Sequence, residues 1–283
     1  MNNIIFSKLL SESLLSLYPV FIKKLKLDID LQLSIRLFIY LLISLFFCNI
    51  NFIKKYILNY NTLLLGLINL IHIYSSYKGF ELLESGLSYT LFFTYPIFIL
   101  LFSGTPLHFS IFISLLGVYI LTKNKFKKGI SKKGLVMIFI ASVTEALIYF
   151  YIRKINTKNS WNHLFLTYFY GTIIIILYYL FKNYYNKNIK INKDKDIIKN
   201  KKILLSLVIN SIIGSLGYYL RFYATIRLNT FVYAILSYFG ILMSFVYGIL
   251  FNNEKLTLNK FIGSLLIFIG SKKELLNFIK NIF

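Results

Sequence analysis

The sequence predicts an all-α membrane protein of ten transmembrane helices, arranged as two inverted five-helix repeats. Three observations point there. From Ser85 to Thr122, 38 consecutive residues contain no Asp, Glu, Lys or Arg, about twice the roughly 20 apolar residues that one helix needs to cross a bilayer. Hydrophobic residues make up 57% of the chain and charged residues only 15%, a balance typical of multi-pass membrane proteins. The chain also repeats itself. A shift of 144 positions lays Tyr74 on Tyr218, Tyr89 on Tyr233, Ile97 on Ile241 and Gly104 on Gly248, and a separate register lays Ile22-Lys23-Lys24 on Ile152-Arg153-Lys154. Spans three and four then correspond to eight and nine, and span one to span six. An odd number of helices per unit forces the two units into opposite orientations.

The spans follow in order. The first runs from about Leu9 to Ile22, with Pro19 near its end, and closes on Lys23-Lys24. Arg36 opens the second, which runs to about Ile50 and is closed by Lys54-Lys55. The third, about Ile57 to Tyr77, holds Asn69 and His72 among apolar residues. Spans four and five share the uncharged stretch, divided at Ser103-Gly104-Thr105-Pro106, where small residues and a proline supply turn chemistry. A lysine-rich run from Lys123 to Lys133 leads into span six, Gly134 to Ile152, interrupted once by Glu145. Span seven is about Trp161 to Phe181, with Trp161 placed for the interfacial belt. The Asn/Lys/Ile-rich segment 182–202 reads as the longest polar loop. Spans eight (Ile203 to Ile226), nine (Thr230 to Phe251) and ten (Leu258 to Gly270) complete the chain. The repeats are thus residues 1–128 and 129–283.

The formal net charge of +22 would suggest nucleic acid in a soluble chain, but here the lysines cluster between apolar runs. They read as loop charges, and no nucleic-acid partner is expected. The single Cys48 excludes an intramolecular disulfide or a cysteine metal site. Lys8 and Glu12 interrupt the N-terminal apolar stretch, so no cleavable signal peptide is expected. No Gly-rich phosphate loop, metalloprotease helix or triad-like pattern is present. The histidines fall on three different spans. Neither an enzyme nor a cofactor is expected, and no metal.

Several stretches are familiar. SLLSLYPVFIKK, SIRLFIYLLISL, GLINLIHIYSSYKGFELLESGLSYTLFFTYPIFILLF and LLGVYIL in the first half, with LIYFYIRK, GYYLRFYATIRLNTFVYAILSYFGILMSFVYGILF and NNEKLTLNKFIGSLLIFIG in the second, resemble the drug/metabolite transporter superfamily, EamA-like branch. The resemblance implies a ten-helix secondary transporter that moves a small polar metabolite by alternating access through a central cavity between the repeats. It implies a multi-pass protein of the cell (inner) membrane, a monomer or homodimer, whose partners are the lipid bilayer and a small-molecule metabolite. The rival is a non-transporting carrier-fold scaffold. The family places both termini in the cytoplasm, whereas counting Lys and Arg per loop argues for termini outside.

Candidate site residues are the polar ones inside the membrane, where a charge costs about 3 kcal/mol even on a lenient scale. Glu145, in mid-span, either faces a cavity, binding a cationic group or cycling a proton, or forms a structural ion pair. Arg221, in span eight, either holds an anionic substrate among Tyr218, Tyr219 and Tyr223 or snorkels to the headgroups. His72 and Asn69, one turn apart, either line the same cavity or serve packing. Lys23 and Arg153 end symmetry-related spans, as cavity-mouth residues by the resemblance or as interfacial anchors. Pro96 and Pro19 are candidate hinges. Glu254, in the turn of the second hairpin, is the acidic residue whose counterpart the first hairpin lacks. Lys8 and Glu12 are expected to pair on the surface.

The first hairpin is also the short one. Pro96 to Gly117 covers 21 positions, against 30 from Gly240 to Gly270, so each arm should lose about 6 to 7 Å at 1.5 Å of rise per residue.

Overall fold

In the computed structural model the described residues are 2–18, 28–83, 85–106, 109–122, 131–155, 157–185, 201–252, 257–259, 261–263, 265–267 and 269–270. Among them there is no strand. The helices are α1 (Asn2–Leu15), α2 (Ile29–Phe47), α3 (Ile50–Tyr56), α4 (Tyr60–Leu82), α5 (Ser85–Phe92), α6 (Tyr95–Ser103), α7 (Phe109–Thr122), α8 (Lys132–Lys154), α9 (Ser160–Tyr185), α10 (Lys201–Thr225), α11 (Thr230–Ser237) and α12 (Phe239–Asn252). Further helical residues lie between 258 and 270.

Helix starts sit where the sequence supplies a capping side chain. Asp28, Asn49, Asn59, Ser131 and Asn229 each accept a hydrogen bond from a backbone N–H in the first turn of the following helix, worth about 1 kcal/mol apiece. The cap at Asp28 sets the start of α2 seven residues before Arg36, which therefore lies two turns inside the helix rather than opening it. The cap at Asn49 adds a helix over the residues that the sequence reading left between spans two and three. α3 stands at 92° to α4, so it cannot continue along the bundle axis.

Length and composition qualify α2, α8, α9, α10 and the α11–α12 pair as membrane spans, with α3 and α4 as a bent sixth. The other expected spans are shorter or interrupted among the described residues. The interruption of span four is at Phe93-Thr94, with Pro96 in the first turn of α6. A proline at that position cannot donate to the carbonyl of Phe92. The hydroxyl of Ser142 of α8 lies 3.0 Å from it and 3.2 Å from the Leu91 carbonyl, with the Ile138 carbonyl of its own helix also at 3.0 Å, so its one proton is shared among them, a substitute donor that lets a broken helix persist where no water is available. α11 and α12 break at Tyr238 without a proline.

α6 ends at Gly104, whose φ of 64° is the left-handed conformation that glycine adopts freely. Its nine residues compare with fourteen in α12, a difference of about 7.5 Å along the axis, close to the shortening expected from the sequence.

The helices pack antiparallel in two extensive pairs. Along α1 and α10, Tyr18 lies beside Gly214, Leu15 beside Gly217 and Glu12 beside Arg221. Along α4 and α8, Leu83 lies beside Gly134, Gly79 beside Ile138 and His72 beside Ala141. α2 packs on α9, and α6 on both α8 and α11. The outer surface carries exposed Phe46, Leu58, Phe109 and Leu250, while Lys8, Glu12, Arg36, Glu145 and Arg221 are buried. Lipid solvates the apolar rim of such a bundle, and these five charges are held in its interior.

Small residues bring backbones together, as expected between helices in lipid. A Cβ on Gly117 of α7 would stand 2.6 Å from the Gly263 carbonyl oxygen, whereas one on Gly171 would meet nothing nearer than Leu70 at 3.9 Å. Gly117→Ala is therefore expected to destabilise the detergent-solubilised protein by about 1–3 kcal/mol, seen as a lower melting temperature, and Gly171→Ala to leave it unchanged. Equal melting temperatures for both variants would refute the close approach.

Candidate functional site

Positions four apart on a helix share a face, and this places Lys8 and Glu12 of α1 side by side against Arg221 of α10. Lys8 Nζ donates to Glu12 Oε1 at 2.5 Å, and Arg221 Nη2 donates to Glu12 Oε1 at 3.1 Å and Oε2 at 2.9 Å. The other end of the same guanidinium, Nη1, donates to Glu145 Oε1 of α8 at 2.5 Å. Tyr95 Oη of α6 donates to Glu12 Oε1 at 3.4 Å, and Lys8 Nζ lies 3.6 Å from the centre of the Tyr233 ring of α11. Two carboxylates and two cations make the set neutral. Charge-assisted hydrogen bonds to every member offset desolvation costs of several kcal/mol per ion.

His72 of α4 extends the set. Its Nδ1 lies 3.0 Å from the Ala141 carbonyl, which only accepts, so the proton of a neutral ring sits on Nδ1. Nε2 then faces Glu145 Oε2 at 3.2 Å, and that oxygen has no hydrogen bond. Closing the contact takes one more proton.

Beside this network is a cavity of about 30 Å³, lined by side chains of α1, α2, α4, α5, α9 and α10, among them Arg36, Tyr40, Tyr77, Tyr168 and Tyr218. It has room for a water molecule and not for a metabolite.

The structure thus brings together Glu145, Arg221, His72 and Tyr218. Asn69 faces α9, where its Nδ2 donates to the Thr167 carbonyl at 3.0 Å. Arg153 is exposed and stands at the far end of α10, where Nε donates to the Thr225 carbonyl at 2.9 Å and Nη2 to that of Leu228, satisfying carbonyls that a helix end leaves open. Pro96 marks the break between α5 and α6. Lys23, Pro19 and Glu254 lie outside the described residues.

Two readings of the sequence change. Lys8 and Glu12 do pair, but not on the surface: both are 0% exposed, because α10, α11 and α12 cover that face of α1. Arg221 does not snorkel, since both its terminal nitrogens are engaged by carboxylates at the bundle centre. Among the described residues Glu12, Lys8 and Arg36, with Asp30 at the bundle end, are the buried charges the sequence reading left off its site. For Glu12 the signal was there: it interrupts an apolar run as Glu145 does. For Arg36 it was hidden by the position of the helix start.

At the end of the bundle where α2 begins and α4 and α9 finish, Lys182 bridges to Asp28 at 3.6 Å and to Asp30, and Lys78 pairs with Glu81 at 2.6 Å. These pairs are partly exposed and contribute little to stability individually. The central network is different. Arg221→Met would leave two buried carboxylates without their shared cation, with an expected loss of about 3–5 kcal/mol. Lys8→Met leaves Glu12 paired with Arg221 and is expected to cost less. Melting temperatures in detergent decide the order, and an equal or reversed order would refute the central role of Arg221.

Residues 132–271 match the family model of the EamA-like transporter family. No curated protein gives a significant match. Among solved structures, 27 chains match. One of them, titled only "Crystal structure of protein", has a TM-score of 0.68 at 14% identity, over 99% of this chain and 97% of that one. At that identity the likeness is one of fold. The chain is an integral membrane protein by its apolar helices and its family. Residues 132–271 are thus similar to the EamA-like transporter family, which lies within the drug/metabolite transporter superfamily.

Proposed function

We propose that the protein is a secondary carrier that moves a small polar metabolite across the cell (inner) membrane by alternating access between two inverted five-helix halves, residues 1–128 and 129–283. The observation that carries this reading is the buried, charge-balanced network beside a closed aromatic cavity, built from α1 and α4 of one half and α8 and α10 of the other. Ionisable groups at membrane depth are costly and mark substrate or proton pathways.

Helix packing supports the inverted repeat. The sequence registers equate α1 with α8 and α4 with α10. Exchanging the halves turns the pair α1 with α10 into the pair α8 with α4, and these are the two most extensively packed pairs in the bundle. The same exchange maps the pair α2 with α9 onto itself and turns the pair α6 with α11 into α12 with α5, which also pack on each other. Each of the two main pairs carries one acid–base contact, Glu12 with Arg221 and Glu145 with His72. The Arg221–Glu145 contact joins the pairs. In a rocking carrier this joint is the pivot or the latch. The closed cavity is one end state, and substrate enters when the pairs separate.

The unfilled contact between His72 Nε2 and Glu145 Oε2 favours a proton as the coupling ion. Glu145→Gln keeps the shape and the acceptor for Arg221 but loses the charge. In proteoliposomes carrying the full chain, the variant is expected to lose uptake by about tenfold or more and to ignore an imposed pH gradient, while eluting as a folded protein. Wild-type flux with wild-type gradient dependence would sink the assignment. Absence of saturable flux for every solute class with the unaltered chain would overturn the carrier reading itself.

A further inference from the structure

Arg221 has its counter-charges; Arg36 has none. Arg36 is 2% exposed on α2, and among the described residues no carboxylate lies within ion-pair distance of it. Its hydrogen-bond partners are neutral phenols. Nε donates to Tyr40 Oη at 2.7 Å and Nη1 donates to Tyr77 Oη, while the ring of Tyr18 lies against the guanidinium at 3.4 Å from ring centre to Cζ. A guanidinium has five N–H donors, and two are used here. Nη2 has no hydrogen-bond partner, and neither does Tyr168 Oη, another buried group lining the same cavity.

A buried arginine with an idle edge is expensive. Cation–π contact with Tyr18 and two phenol acceptors lower the cost without neutralising the charge. The adjacent network of Lys8, Glu12, Glu145 and Arg221 is neutral and lends it no counter-charge. Gly214 of α10 closes the far side. A Cβ built there would run into Arg36 Nη2 and the hydroxyls of Tyr18 and Tyr40, so the guanidinium is accommodated by the absence of a side chain. Among the described residues the cavity therefore has a surplus of one positive charge, a donor without an acceptor and aromatic walls.

We propose that Arg36, with Tyr40, Tyr77 and Tyr168 around it, is the anion-binding subsite of the cavity, so that the transported solute is a small organic anion held by its carboxylate or phosphate. Both groups match the planar fork of an arginine. The aromatic side chains take the solute's carbon body. This rests on the carrier reading but is tested separately, by binding.

The experiment uses the full chain in a neutral detergent and reads melting temperature against concentration of four probes: succinate, inorganic phosphate, glucose and spermidine. The expected result is stabilisation by succinate, phosphate or both, and none by glucose or spermidine. Arg36→Gln should remove it, and Arg36→Lys should retain part of it. Tyr168→Phe, which deletes one idle hydroxyl and keeps the ring, should raise the half-saturating concentration several-fold and guards against a folding defect in Arg36→Gln. No shift with either anion, a shift with glucose or spermidine instead, or unchanged response in Arg36→Gln and Tyr168→Phe would overturn the proposal. A shift seen only after adding phosphatidylglycerol would assign the subsite to a lipid headgroup and overturn it for a solute. Anion-dependent stabilisation without flux of any solute would leave this subsite standing while removing the carrier reading.

Discussion

A charge inside hydrocarbon has to find its counter-charge within the protein, and in this bundle a single guanidinium meets that demand. Arg221 holds Glu12 with one nitrogen and Glu145 with the other, so α1, α8 and α10 are tied at one point. Lys8 balances the remaining charge from one turn away. Removing Arg221 would leave both carboxylates to the full cost of burial, which couples the network through that residue and fixes how these helices sit against one another.

The same demand extends to backbone groups. Breaking span four at Phe93 frees carbonyls at a depth where water is absent, and Ser142 from α8 supplies the missing donor. Broken helices matter in a carrier fold because they let a helix change direction beside the cavity. Here the break lies next to Tyr95, which reaches Glu12. Helix break and charge network are thus one connected feature.

The two guanidiniums that line the cavity stand in opposite electrostatic conditions. Arg221 is paired with two carboxylates through its terminal nitrogens, only its Nε lacking a partner, and its role is to hold helices. Arg36 has no carboxylate partner among the described residues, and its donors face tyrosine hydroxyls and Gly214. Telling these conditions apart requires knowing every acceptor within reach, which spacing along the chain does not reveal.

Hydropathy by itself determined the membrane class, the order of the main spans and the turn at Ser103 to Pro106, because each rests on residues adjacent in sequence. Glu145 and Arg221 stood out for the same reason, as lone charges inside apolar runs. Pro96 was legible as a kink because proline's missing donor is a local property. What tertiary structure decided is the environment of each charge. Lys8 and Glu12 have the spacing of a surface ion pair, and only the helices covering α1 make them central. Arg36 reads as a flanking residue until the cap at Asp28 starts α2 two turns earlier and places it deep in the bundle. Local chemistry sets where helices begin, bend and end, whereas the partner of a buried charge is chosen by packing between segments as far apart as Glu12 and Arg221.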